Sequence, residues 1–395
     1  MIIEDVHYRL IFDSRGKETV ECEITAGDVT SRAAAPSGAS TGSYEAVVVN
    51  PYKYQEIEEK VSRALIGLSV FDQEGIDDAL SEIDGTDNFK VIGGNFAISA
   101  SLAAAKCAAE IVGLPLYAYL GGIYSKEIPY PLGNVLGGGR HAPGSTDIQE
   151  YLIVPVGAKN FFEAQRTNSQ VHRMLKDEMD KKGIFAAKGD EGAWAAKVTD
   201  EEAFDLLYSV ISKVDLEVKM GIDVAASELW NGREYCYKKR KLDKEGQINY
   251  ILELADKYDL FYIEDPLHEE DFEGFAEITK QLKCLICGDD LFVTNTKRLE
   301  KGVRIGAANT ILVKPNQIGT VTGTYKAVKL AKENGYNVVV SHRSGETEDV
   351  SIAHLAVAFN AKLIKTGVVG GERTAKLNEV IRIEEFMDKP RMVKL

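Results

Sequence analysis

A chain of 395 residues with 45% hydrophobic and 27% charged side chains is folded rather than disordered, and is too long for one ordinary hydrophobic core. Its 61 acidic against 47 basic residues leave a formal charge of -14, which argues against nonspecific binding to nucleic acid or an acidic membrane while leaving room for a local basic pocket for a small anion. Five scattered cysteines, Cys22, Cys107, Cys236, Cys284 and Cys287, and a start without a basic, apolar leader read as a reduced cytoplasmic protein; no stretch reaches the roughly 20 apolar residues that span a bilayer.

In chain order, residues 2–12, 18–26 and 29–35 read as antiparallel strands, the first two joined through Asp13 to Gly16. APSGASTGSYEA follows as a loop too rich in small polar residues for a core element. Helices are predicted over 54–66, where Ile57, Val61 and Leu65 share a face, and over the alanine-rich 95–112. This α+β part, 1–125, gives way near the GG, SKE and prolines of 121–131 to a second domain, 126–395. There 128–136 and 150–155 read as a strand hairpin, followed by two helices, 161–182 and 199–213, the latter with a Thr199/Glu202 capping box. Strand and helix patterns then alternate, with helices over 248–258, 272–282, 295–302, 320–334, 349–360 and 373–383. The fold class is α/β: an eight-stranded β/α barrel of ββαα(βα)6 order behind an N-terminal α+β domain. The stretch SELWNGREYCYKKRKLDKEGQ, with a turn at Asn231 and Gly232, reads as a surface hairpin, because acidic residues interrupt its basic cluster. CLIC, at 284–287, reads as a structural strand without the second pair that a metal site would need.

Charged residues recur where these strands end. Asp223, Glu264, Asp289, Lys314, His342 and Lys365 follow one another at intervals of 41, 25, 25, 28 and 23, the last four close to one strand, one helix and two loops. In a β/α barrel such positions converge on the mouth where active sites lie. Three carboxylates gathered there with two lysines call for a cation, and hard oxygen donors suit Mg²⁺. Asp290 would face away from Asp289 in a regular strand, and Asp265 likewise from Glu264. Pro315 restricts Lys314 to an extended conformation, as a strand end requires.

With DSRG at 13–16, SGASTG at 37–42, GDEG at 189–192, IEDP at 263–266, VTNTKR at 293–298, NQIGT at 316–320 and SHRSGETED at 341–349, the chain resembles the enolases over nearly its whole length. The resemblance implies reversible, Mg²⁺-dependent dehydration of 2-phospho-D-glycerate to phosphoenolpyruvate, in glycolysis and, in reverse, gluconeogenesis. It implies Asp223, Glu264 and Asp289 as ligands of a high-affinity Mg²⁺, with Ser40 of a closing loop helping to hold a second Mg²⁺. Lys314 is implied as general base and Glu191 as general acid, with Glu150 as its partner. Glu150, His141, Glu264, Asp289, His342, Arg343, Ser344 and Lys365 are implied to meet the substrate: Arg343 offers a fork of donors to phosphate or carboxylate and Ser344 a hydroxyl. Enolases are homo-oligomers, so a homodimer or homo-octamer is expected, with no primary nucleic-acid or membrane partner. The alternatives are another acid dehydratase or racemase of the same superfamily, or a noncatalytic scaffold. Pro315 stands where enolases often carry an aliphatic residue, and Arg140 with 142–146 departs from their usual histidine loop.

Overall fold

The computed structural model describes residues 1–38 and 42–395. In the N-terminal part, alternating side chains build Asp5–Phe12, Glu18–Ala26 and Val29–Ala34 into an antiparallel meander, paired from Asp5↔Thr25 to Phe12↔Glu18 and from Glu21↔Ala34 to Ala26↔Val29. Val6, Tyr8, Val20, Cys22 and Ile24 form its buried face. Against it lies helix Gly94–Ile111, whose other side meets helices of the barrel. That double burial is why its sequence is apolar nearly all round. Among the described residues no single helix is long and apolar enough to cross a membrane.

The barrel has eight strands in closed order: Tyr130–Gly137, Glu150–Val154, Lys219–Asp223, Tyr262–Glu264, Leu285–Gly288, Thr310–Val313, Asn337–Ser341 and Leu363–Lys365, closed by Leu363↔Tyr130. Glu150–Val154 alone runs antiparallel to both of its neighbours. Below the mouth the interior is filled by Leu132, Leu152, Tyr262, Cys287, Leu312 and Val339. Cys287 of the CLIC segment is therefore a buried free thiol inside the barrel.

The ββαα(βα)6 order predicted from sequence holds, and the capping box of Thr199 and Glu202 is formed. Two features differ from expectation. Helices Phe161–Lys181 and Asp200–Ile211 do not follow directly: a hairpin, Ala186–Lys188 with Trp194–Ala196, lies between them and joins the first barrel strand at Leu136↔Trp194. Strands of three residues are too short to leave a periodic signal. Helix Gln73–Asp84 was also hidden, since it is acidic and buries only Ile76 and Leu80 of its large apolar side chains. The stretch after Ala226 is a hairpin, Tyr235–Cys236 with Lys241–Leu242, with Lys238, Lys239 and Lys241 exposed over buried Tyr235 and Tyr237.

Polar contacts tie the N-terminal part to the barrel. Asp77 Oδ2 accepts from the Thr322 N–H at 2.8 Å and Ser101 Oγ from that of Val321 at 2.9 Å, so two side chains of one part cap a helix of the other. Half-buried Asp349 pairs with Lys106 at 2.6 Å.

Candidate active site

Sheet register lifts the strand-end residues to one mouth. Glu264 is level with Asp223 on one side and Cys287 on the other, so Asp289 stands two residues higher; Ser341 is level with Lys365, so His342 follows just above. Glu150 starts its strand, yet because that strand is reversed it too lies level with Asp223. One cleft brings together His141, Glu150, Glu191, Asp223, Glu264, Asp289, Lys314, His342, Arg343, Ser344 and Lys365. Ser40 lies outside the described residues.

The carboxylates share two lysines. Lys365 Nζ is 3.0 Å from Glu150 Oε2, 3.2 Å from Asp223 Oδ2 and 2.8 Å from Glu264 Oε2. Burial alone would discharge this amine, but the three acids outweigh it and hold its pKa well above the ordinary value. Lys314 pairs with Asp289 Oδ2, and that partner likewise overrides burial and raises the lysine. Gln317 Nε2 donates to the other Asp289 oxygen at 3.0 Å. Glu264 is pushed far up by burial and then by Asp223, against the pull of Lys365.

Three buried carboxylates against two lysines leave a negative excess. Glu264 shows where a cation fits: Oε2 accepts from the Tyr262 hydroxyl at 2.6 Å and from Lys365, whereas Oε1 is buried without a partner. An all-oxygen donor set of this kind suits a hard divalent cation. A second acidic group joins Asp265 with Asp289 and Asp290. There Asp265 accepts the N–H groups of Asp289 at 3.0 Å and Asp290 at 2.8 Å, one on each oxygen, so it braces the turn. Asp290 is half-buried and does not line the cleft.

The remaining wall is built from loops. Glu191 sits on the hairpin between the two helices, and Gly192 after it has φ +80°, where a Cβ would meet the Val369 carbonyl oxygen at 2.3 Å. His172, stacked on Trp194, has its Nε2 2.9 Å from the Gly192 oxygen. Glu191 Oε2 is 3.2 Å from His342 Nε2, and Glu191 Oε1 is 3.7 Å from His141 Nε2. His141 Nδ1 lies 3.2 Å from Glu150 Oε1. Burial disfavours charge on His141, but Glu191 and Glu150 outweigh it and push the imidazole up to about 9. Burial would raise Glu191, yet His141, His342 and Arg373 hold it well below the usual carboxylate range. Glu150 is raised, by burial above all, despite Lys365. Two imidazoles and a guanidinium surround Glu191, and their pull outweighs its burial.

Sequence reasoning passed over several residues of this site. Glu45, three residues after the SGASTG segment, forms a buried two-pronged ion pair with Arg343, at 2.8 and 3.2 Å. Gln149 and Ser341 line the cleft, Tyr262 braces Glu264, and Arg373 lies behind His342. The polar Tyr262 inside an otherwise apolar strand was the one signal available in advance.

Comparison with known proteins bears on all of this. The family described as the enolase N-terminal domain matches residues 3–120, and that described as the enolase C-terminal TIM barrel domain matches 125–392. An enolase of Archaeoglobus fulgidus is 71% identical over 397 residues, covering all of both chains. Enolases of Methanosphaera stadtmanae and Natronomonas pharaonis are each 51% identical, over 100% and 97% of this chain and 99% of their own. A mouth of three strand-end carboxylates and two lysines, in a chain matched along its length in this way, belongs to the enolase family, the hydro-lyases with phosphopyruvate hydratase activity.

Proposed function

We propose that this chain interconverts 2-phospho-D-glycerate and phosphoenolpyruvate at the barrel mouth, in glycolysis and gluconeogenesis. The observation that carries the reading is one cleft in which a lysine, Lys314, at the end of one barrel strand, and a carboxyl group, Glu191, on the hairpin that joins the first barrel strand, are lined up with Asp223, Glu264 and Asp289. Base and acid can then address opposite sides of a small substrate. Asp223, Glu264 and Asp289 would hold one Mg²⁺, and Ser40 would help to hold a second. Such ions, when bound, would supply positive charge to offset the substrate's carboxylate and phosphate and the charge developing beside that carboxylate.

Lys314 takes the proton from the carbon beside the carboxylate. It gives up its own ammonium proton where Asp289 is otherwise neutralised, since that carboxylate is what keeps it charged. Lys365 binds the substrate carboxylate, while His342, Arg343 and Ser344 receive the phosphate and carboxylate oxygens. Glu191 protonates the departing hydroxyl, with Glu150 and His141 as its partners in proton storage. We further propose residues 1–125 as a capping domain with a closing loop and 126–395 as the catalytic barrel, in a cytoplasmic homodimer or homo-octamer.

Hydration of phosphoenolpyruvate in Mg²⁺, with product stereochemistry read out, tests the function. Formation of 2-phospho-D-glycerate is expected. Turnover of an unphosphorylated acid but not of phosphoenolpyruvate would favour another dehydratase of the superfamily.

A further inference from the structure

Arg373 is fully buried, in the first turn of helix Gly371–Phe386, and its guanidinium is spent on the active-site wall. Nη1 lies 2.8 Å from His342 Nδ1 and donates to the Arg343 carbonyl at 2.6 Å; Nη2 donates to the Ser344 carbonyl at 2.6 Å and to that of Asp190 at 3.4 Å. Glu372 supplies a counter-charge, with Oε1 3.2 Å from Nε. A guanidinium has no acceptor and keeps its protons. His342 Nδ1 must therefore present its lone pair, and the ring proton must sit on Nε2. From there it points at Glu191 Oε2, 3.2 Å away.

The consequence passes on to Glu191. Oε2 is an acceptor for as long as His342 is held, and Asn134 Nδ2 approaches it as a second donor at 3.5 Å. Only Oε1, which faces His141 Nε2 at 3.7 Å, is left to carry a proton. We propose that Arg373 is a positioning residue of the reaction: it fixes His342 as the Nε2–H tautomer, and His342 thereby reserves one oxygen of Glu191 and assigns the transferable proton to the other, on the His141 side.

This inference rests on Glu191 being the acid. In the elimination the carbanion's electron pair becomes the second carbon–carbon bond and the C–O bond breaks with its pair on oxygen. The Oε1 proton joins that oxygen as water, and Glu191 is left ionised. The charged and titratable groups facing His342 are Glu191, Arg373 and Glu346, and burial outweighs the acids, drawing its pKa down to about 4. An imidazolium at His342 would set an N–H against an N–H of Arg373, so this end of the chain of groups does not store the mobile proton; His141 does.

The test is nitrogen-15 NMR of the full chain labelled at histidine, with His342 assigned through the signals lost in His342→Gln. Expected is one neutral Nε2–H tautomer, unchanged from pH 5 to 9. An Nδ1–H tautomer, or a ring that titrates near neutrality with Arg373 in place, overturns the proposal, and that reading needs no variant to fold. In Arg373→Met, His342 is expected to titrate and elimination to slow about 100-fold, with exchange of the substrate α-proton held within about threefold. Arg373→Lys, which restores one donor, is expected to recover the tautomer. Loss of both steps alike with the tautomer unmoved counts against the proposal. Glu191→Gln separates the two readings: full elimination in that variant removes Glu191 as acid but leaves the tautomer result standing.

Discussion

The two halves of the mouth are held in different ways. The half that carries Asp223, Glu264, Asp289, Lys314 and Lys365 is an outcome of sheet register: each residue sits where its strand ends, and neighbouring strands fix its height. The half that carries His141 and Glu191 is made of loops, fixed by buried donors and a close backbone approach at Gly192. Charge follows the same division. The strand half sets carboxylates against lysines, and the loop half alternates imidazole with carboxylate, from Glu150 through His141 and Glu191 to His342. On the proposed reading both halves handle protons, Lys314 on the strand half and Glu191 on the loop half, whereas the carboxylates proposed to hold ions all stand at strand ends.

Breaking the strand half at its base has the largest expected effect. Lys314→Ala should lower turnover by roughly 10³-fold or more, with α-proton exchange lost and Mg²⁺ affinity largely kept. Persistence of exchange, measured in deuterated solvent, would move the base elsewhere. On the loop side, Glu191→Gln should slow elimination by about 10²- to 10³-fold while exchange continues, as seen by comparing isotope wash-in with product formation. Asp289→Asn should weaken metal binding by roughly 10- to 100-fold, together with activity; a Mn²⁺ titration followed by spin resonance reads this without turnover. An unchanged titration would remove Asp289 from the ligand set.

The smallest effect sharpens the contrast in charge. His141 is raised in the fold from its ordinary value near 6.5 to about 9, so its contribution to stability is fully present below about 6.5 and is lost as pH rises through 9. The stability difference between the ligand-free chain and His141→Gln should therefore shrink by about 3 kcal/mol between pH 6 and 10, measured by denaturant titration. A difference that stays flat would mean that the imidazole is neutral throughout.

The same division explains what the sequence made legible. Lys314, Glu264 and Asp289 could be read ahead of any structure, because a barrel repeats at nearly constant length and places the last residue of each strand alike. Pro315 reinforced that reading, and Lys314 is extended, with φ -124° and ψ 104°, before a single helical turn that Pro315 opens. Glu191 needed family resemblance, since its strands of three residues leave no pattern. Arg373 and Glu45 stayed hidden for another reason: their partners lie 31 and 298 positions away, and nothing local distinguishes a buried charge from a solvated one. Tyr262 was the intermediate case, a hydroxyl in an apolar strand whose partner, two residues on, is the acid it braces.

The reversed strand Glu150–Val154 has a consequence for rewiring the chain. Since it runs against its neighbours, the twelve residues 138–149 leave and return at the same rim, and both ends of that connection are tethered beside the reacting groups. A circular permutant opened there would deliver two new chain ends into the substrate's path. The segment Arg391–Met392 behaves differently, since it pairs with Glu127–Ile128 just before the first barrel strand, away from the rim. A fusion partner is therefore best joined beside that segment, where a tether leaves the mouth clear.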